Sequence, residues 1–307
     1  MKRSIKYIAL IACVGLLGAC DLKEDRTYDE PTDIRLARAL DEYSRALTSA
    51  ANGWILLVDS NFGVFRHYLS FDENDRVIML SDLSANYTVK DGTDTTTAPR
   101  QSSYQLKALH MPSLIFNTYN YIHMLCDPTY SVIDVPTHYA LYSDFEYSIL
   151  SFDSGVFTLR GTLNKTTAYL RRATKDEADA VFAEHALMND YTRIEGHTGS
   201  TLSIGGREVS VSFLEAFHAA ATANRNRFVD LTWQDEAGAE QGVQGHMWIE
   251  LETAASGSGV PTRIGLMAPV SVGDVLIASF RWNADTGAYD AVGQDGTVYT
   301  KPAGNIE

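Results

Sequence analysis

From Trp54 onward the chain is a succession of short apolar runs cut by clusters of Asp, Asn, Gly and Ser. Runs of that length carry no helical stripe, and most alternate with the two-residue period of a half-buried strand. Trp54-Ile55-Leu56-Leu57-Val58 is apolar throughout, as expected of a strand covered on both faces. Residues 64–71 alternate, Asp72-Glu73-Asn74-Asp75 marks a turn and residues 77–80 return, which predicts a hairpin. Further strands are expected over 104–109, 114–116, 121–125, 145–152, 156–159 and 167–170, with loops over 84–103 and around Pro136. In the second half the pattern predicts strands over 201–204, 208–211, 228–233, 246–251, 263–266, 270–272, 275–282 and 288–292. Residues 213–223 read as a short Ala-rich helix or a loop.

Two helices punctuate these strands. Leu36, Leu40, Tyr43 and Leu47 share one face of a helix over 32–51, which Asn52-Gly53 stops. Thr174-Lys175-Asp176-Glu177 is a capping box that opens a second helix running to about Met188, with Ala178, Val181, Phe182 and His185 inward. The expected fold is therefore mainly β with minor α: two packed antiparallel β lobes, a leading N-terminal helix and a connecting helix. The two halves share an order of parts that a divergent duplication would produce, and that any all-β chain also produces weakly.

Composition narrows the function classes. With 45% hydrophobic residues the chain has enough material for large cores and is not a disordered tail. Its 25 Lys and Arg against 39 Asp and Glu give a net charge of −14, which disfavours a nucleic-acid partner.

Residues 1–19 read as a signal peptide. Lys2, Arg3 and Lys6 precede an apolar stretch from Tyr7 to Leu17 that is too short for a permanent membrane span. Leu17-Gly18-Ala19-Cys20 looks like a bacterial lipobox, so Cys20 is the expected lipidation site and the lipid the expected membrane anchor. Cys13 leaves with the signal and Cys20 carries lipid, so Cys126 alone remains and no intramolecular disulfide forms. Residues 20–31 form a polar tether in which Lys23-Glu24-Asp25 resembles the surface-export signal of Bacteroidota lipoproteins. The organisation expected is signal 1–19, tether 20–31, helix plus β lobe 32–173, and connecting helix plus β lobe 174–307.

Several stretches together resemble a family of Bacteroidota cell-surface lipoproteins known only as a domain of unknown function. They are the helix into Asn52-Gly53-Trp54, the hairpin around Leu69-Ser70-Phe71-Asp72, Ser103-Tyr104-Gln105-Leu106, and Phe116-Asn117-Thr118-Tyr119-Asn120 leading to His123 and Asp127-Pro128. Asp144-Phe145-Glu146-Tyr147, Phe157-Thr158-Leu159-Arg160-Gly161 and Arg263-Ile264-Gly265-Leu266 on to Phe280 are similar too. The resemblance implies outer-membrane proteins that accompany porin and substrate-binding pairs of nutrient-uptake systems, and it implies no catalytic residues.

The sequence patterns that commonly carry chemistry are missing. There is no Gly-x-Ser-x-Gly elbow around Gly257-Ser258-Gly259, no His-Glu-x-x-His, no Cys-x-x-Cys and no phosphate loop at Gly205-Gly206. On a strand, His123 and Cys126 point to opposite faces, which argues against a nucleophile pair. Asp72-Glu73-Asn74-Asp75 lacks calcium-loop spacing. Asp144 and Glu146 make the most enzyme-like pair, but their alternation with Phe145 and Tyr147 places them on a solvent face. Trp233, Trp248 and Trp282 sit in strands and are assigned to the core. No catalytic residue, metal site or cofactor is assigned. The Tyr residues in or near loops of the first half, Tyr119, Tyr121, Tyr130, Tyr139 and Tyr142, are the expected ligand surface. The expected role is a non-catalytic outer-membrane accessory facing the cell exterior, binding a glycan, a peptide or a partner outer-membrane protein during nutrient uptake. A hydrolase using loop carboxylates and a structural or adhesion subunit are the alternatives.

Overall fold

A computed structural model describes residues 30–82, 99–127, 141–184, 194, 200–213, 227–250 and 262–302. The signal, Cys20, Tyr130, Tyr139, His185, Gly257-Ser258-Gly259, the Pro136 loop and the segment 214–223 lie outside the described residues. By its contacts the chain divides after Arg38, and every described strand belongs to the second part.

The fold is mainly β, built from two eight-stranded antiparallel sheets in which every strand pairs with its sequence neighbour. The first is a closed barrel of β1 (Trp54–Ser60), β2 (Gly63–Phe71), β3 (Arg76–Ser81), β4 (Arg100–Ala108), β5 (Pro112–Phe116), β6 (Glu146–Asp153), β7 (Val156–Gly161) and β8 (Thr167–Arg172). Closure comes from β1 pairing with both β2 and β8, which leaves the barrel no edge strand. The second sheet runs β9 (Ser200–Ile204), β10 (Arg207–Phe213), β11 (Phe228–Gln234), β12 (Glu240–Ile249), β13 (Arg263–Val272), β14 (Val275–Asn283), β15 (Ala288–Gly293) and β16 (Val298–Tyr299). Its two edges also meet, since the Ser203 N–H donates to the Thr300 carbonyl at 3.1 Å. The halves thus share strand number and connectivity.

The all-apolar character of β1 has the expected cause. Trp54, Leu56 and Val58 point into the barrel core, while Ile55 and Leu57 belong to an outer cluster with Val64, Tyr68, Ala178 and Val181. The helix α1 (Thr32–Thr48) ends against the barrel floor. There Tyr43 meets Phe157 edge to face at 5.5 Å, and the Trp54 indole N–H donates to the Leu47 carbonyl at 2.9 Å. At the opposite end, where the longer connections gather, a one-turn helix α2 (Tyr121–Met124) fills the mouth with Tyr121, Ile122 and Met124.

The connecting helix α3 (Lys175–Glu184) opens on the expected capping box. Thr174 Oγ1 accepts the Glu177 N–H at 3.2 Å, and the Glu177 carboxylate accepts the Thr174 N–H at 2.9 Å. Ala178 and Val181 face inward as predicted, but Phe182 is 52% exposed and only its edge meets Tyr68. That face of α3 overhangs the cluster it caps.

The structure corrects three further expectations. Residues 100–103 belong to β4 rather than a loop, because Arg100–Ser103 pair with β3 despite their polarity. Residues 121–125 form α2 rather than a strand. A run buried on all sides carries no period, and the Asn120 cap decides its backbone. The stretches 263–266 and 270–272 are one strand, β13, whose register shifts between Gly265 and Val270, where Pro269 has no N–H to offer the ladder. β12 also starts earlier than the apolar pattern indicates. Glu240–Gln244 pair with β11 as a largely exposed ribbon beyond the core.

The two sheets interlock through Arg227, which is fully buried. Its guanidinium donates to the Val64 carbonyl at 3.0 Å, to Asp82 Oδ1 at 2.8 Å and to the Asp82 carbonyl at 2.9 Å, and lies 3.9 Å over the Phe65 ring. Arg227 also donates its backbone N–H to the Phe62 carbonyl at 2.8 Å, and its own carbonyl accepts the Met247 N–H at 2.9 Å. A β carbon at Gly63 would lie 2.3 Å from the Arg227 carbonyl oxygen, so the approach requires glycine there. Arg66 adds a second buried guanidinium, donating to the Ile249 carbonyl of β12. Beside them, Trp248 and Met267 press on the outer cluster of the barrel.

His67 lies on the inward face of β2, between Phe65 and Leu69, and is wholly buried. Neither of its ring nitrogens has a hydrogen-bond partner among the described residues. Desolvation, with the neighbouring Arg227 charge adding to it and Asp82 opposing it, lowers its pKa from 6.5 to about 4.

The joint is open to two tests. Arg227→Ala leaves Asp82 buried without its main cation and is expected to cost about 3–5 kcal/mol in urea unfolding. The imidazole of His67 is neutral when folded and takes up a proton near pH 6.5 when unfolded. Its contribution is therefore complete above pH 6.5 and is lost as the pH falls to about 4, on the order of 3 kcal/mol in all. Unfolding free energies measured across that range should fall less steeply in His67→Leu than in the unaltered chain.

Candidate functional site

The barrel mouth gathers the residues of the most specific sequence motif, Phe116-Asn117-Thr118-Tyr119-Asn120 with His123 and Asp127. Its fold follows from local hydrogen bonding. Asn120 is extended, at φ −150° and ψ −175°, and caps α2 by accepting the Tyr121 N–H at 2.7 Å. His123 stands where a capping box ordinarily has Glu or Gln, and its Nδ1 accepts the Asn120 N–H at 3.2 Å. Its Nε2 then carries the proton and donates to the Phe116 carbonyl at 3.1 Å, which fixes the neutral tautomer. Burial lowers the His123 pKa to about 4, although the bond to Phe116 opposes that shift.

These bonds hold three rings in a stack. His123 lies 5.7 Å from Tyr119 at 27° and 4.7 Å from Phe145 at 25°. The Tyr119 hydroxyl donates to Asp127 at 2.9 Å, and Ser103 and Thr118 join their hydroxyls at 2.8 Å. Desolvation and the Asp127 carboxylate both push the Tyr119 phenol well above its ordinary pKa, so it stays protonated and acts as a donor.

Asp144 anchors the other side of the mouth. It is 3% exposed, not on the solvent face expected of it. Its Oδ1 accepts the N–H groups of Leu163 and Asn164 at 2.8 and 2.9 Å, and its Oδ2 accepts the N–H and hydroxyl of Thr166 at 3.2 and 2.7 Å. A β carbon at Gly161 would fall 1.9 Å from Oδ2, so this carboxylate occupies space that only glycine leaves free. Strand alternation does not apply to Asp144 because it precedes β6 and serves as the clamp of the β7–β8 turn. Glu146 is half-buried, and among the described residues its carboxylate reaches only the Thr162 hydroxyl, at 3.4 Å. The two carboxylates are thus a clamp and a rim group, and no substrate-facing pair forms from them.

The clamp presents apolar side chains to water. Leu163 is 81% exposed, Tyr142 43% and Phe145 38%. Tyr142 sits at φ +52°, a left-handed conformation that costs a non-glycine residue about 1–2 kcal/mol. Its neighbours explain the strain: Leu141, Ser143 and Asp144 are all buried, and the chain turns Tyr142 outward between them.

Of the expected ligand surface, the structure brings Tyr119 and Tyr142 to the mouth and puts Tyr121 in the core with no exposed surface. Phe145 and Leu163 join this rim, and the sequence pattern singled out neither. The only hint for Leu163 was its place in the Asn164-Lys165 turn, where an apolar residue has no core to enter. Cys126 also departs from the strand expectation. It follows α2, its thiol donates to the Ile122 carbonyl at 3.4 Å, and burial next to Asp144 pushes its pKa up to about 12. That is far from the range of a reactive thiolate. Trp233, Trp248 and Trp282 are each half-buried rather than enclosed. Asp72-Glu73-Asn74-Asp75 is an exposed turn in which Asp72 Oδ1 accepts the N–H groups of Asn74 and Arg76 at 2.8 and 3.0 Å. Among the described residues no cluster of His, Cys, Asp and Glu has the arrangement of a metal site, and no helix is long and apolar enough to cross a membrane.

Asp144→Ala removes four acceptor contacts from buried or half-buried donors and is expected to destabilise the chain by about 3 kcal/mol, read as a lowered urea midpoint.

No curated protein matches the chain. Residues 24–284 match a family described as "Domain of unknown function (DUF4302)", a span that includes the barrel, the capped motif at its mouth and most of the second sheet. The chain belongs to this family of domains of unknown function.

Proposed function

We propose that the protein is a lipid-anchored accessory of nutrient uptake on the outer membrane. It does no chemistry of its own, and it docks a peptide or a partner outer-membrane protein on the barrel mouth. The observation that carries this reading is the exposed rim of Leu163, Tyr142 and Phe145 on a rigid, hydrogen-bonded frame. Apolar side chains held outward at a conformational cost lose free energy in water and regain it under a partner, and a pre-ordered frame reduces the entropy lost on binding. The anchor in this proposal is Cys20 of the lipobox-like segment. A net charge of −14 favours neutral or basic partner surfaces.

The test is recovery of the full chain from native outer membranes by a C-terminal tag. A porin or substrate-binding protein is expected to co-purify with the unaltered chain and to be lost with Leu163→Asp and Tyr142→Ser. The melting temperatures of both variants should stay at or above that of the unaltered chain, since neither residue is buried and Tyr142 is strained. Equal recovery with the variants would refute docking at the mouth. Labelling with a palmitate analogue should tag the unaltered chain and not Cys20→Ser.

A further inference from the structure

The second sheet ends in four tight turns on one side: residues 205–206, 235–239, 273–274 and 294–297. Two open clefts lie among them. One, of about 360 Å³, is lined by Trp233, Arg207, Glu236 and Gly273 among others. The next, of about 410 Å³, is lined by Asp274, Leu276, Gln294 and Tyr299 among others. Gly273 and Asp274 are consecutive, so the clefts adjoin. Both volumes fall within the range of small-ligand sites, roughly 300–1,000 Å³.

We infer that these clefts form a binding site for a neutral oligosaccharide, separate from the barrel mouth. Each cleft has one aromatic side chain, Trp233 or Tyr299, that packs on the second core yet remains half-exposed. An aromatic ring fixed on one side by a core offers a flat, low-entropy surface to the C–H face of a pyranose. The polar groups divide in two. Asp235 and Asp295 are committed to their own turns: Asp235 accepts the Ala237 and Ala239 N–H groups at 2.9 and 2.8 Å, and Asp295 accepts the Thr297 N–H at 3.0 Å. Glu236, Asp274 and Gln294 have no side-chain partner among the described residues. They are the planar acceptors and donors that pair with vicinal hydroxyls.

Arg207 is set for the same task. Its guanidinium lies against Gly273, where a β carbon would come within 2.7 Å of Nη1. Among the described residues it makes a long bond of 3.4 Å to the Gly205 carbonyl, which leaves donors for a ligand. Charge sets the class of sugar. Four carboxylates, those of Asp235, Glu236, Asp274 and Asp295, face one guanidinium across the two clefts, which disfavours uronic or sulfated chains.

The test uses the full chain in detergent, with maltohexaose, cellohexaose and mannohexaose as neutral probes and polygalacturonate as the anionic one. Calorimetry is expected to show saturable binding of at least one neutral hexasaccharide. Arg207→Ala and Asp274→Asn should each weaken it by about tenfold with unchanged melting temperatures, and Leu163→Asp should leave it unaltered. Trp233→Ala also opens the core, so the decision rests on the two polar variants. The inference is overturned if none of the three neutral probes binds, if both polar variants bind as tightly as the unaltered chain, or if polygalacturonate binds more tightly than the neutral probes do. Since Leu163→Asp acts only at the mouth, failure of one site is distinguishable from failure of the other.

Discussion

The architecture turns on one buried guanidinium. Arg227 immediately precedes β11 of the second sheet, but its guanidinium bonds end on Val64 and Asp82 of the barrel, and its charge rests on the Phe65 ring inside it. A buried ion pair contributes modest net stability, because desolvating both charges offsets their attraction. Its effect is on specificity. Any shift of one sheet against the other would leave Arg227 and Asp82 charged and unpaired in a dry interior, so the sheets have one permitted register. Gly63 permits that approach and His67 lies next to it. The same knot therefore joins the sheets and encloses His67, whose burial opposes its protonation more strongly than Asp82 favours it.

A frame fixed in that way leaves two ends free to differ. The barrel mouth carries the longer connections, and its described segments are tied down by carboxylate and imidazole bonds to backbone N–H groups. Those bonds turn Tyr142 and Leu163 outward. The far end of the second sheet has tight turns in place of long connections, and its two half-buried rings lie beside charged groups. An apolar rim at one end and a polar, aromatic pair of clefts at the other suit different ligands. In the two proposals above, the clefts hold a saccharide while the rim rests on a partner.

Much of the strand order was legible because hairpins declare themselves locally. Asp72–Asp75, Gly205-Gly206 and Asp153-Ser154-Gly155 each mark a turn between alternating runs, and each proved to be one. The Thr174 capping box was equally readable, since its partners are three residues apart. Errors arose where the deciding contact was remote or where the pattern lacked a period. The run Tyr121–Leu125 is buried on all sides, so it showed no helical stripe, and the clue lay in Asn120 and His123, an unusual capping pair. Asp144 looked like a strand residue facing water because the four donors it serves come from the β7–β8 turn. Trp233 looked like core because β-propensity does not distinguish a ring enclosed by neighbours from one enclosed on one side.

The sequence alone determined the local elements: which segments extend, where they turn and where the two longer helices begin. These depend on contacts within a few residues, and such contacts are encoded in order and spacing. Tertiary structure decided the closure of β1 on β8, the seating of Arg227 against Asp82 and the clustering of Tyr119, His123, Phe145 and Leu163 at one mouth. Each joins residues far apart in the chain, and what selects them is the need to bury apolar faces while satisfying every charge that goes in with them. That requirement acts on the assembled chain and leaves no periodic trace in its sequence.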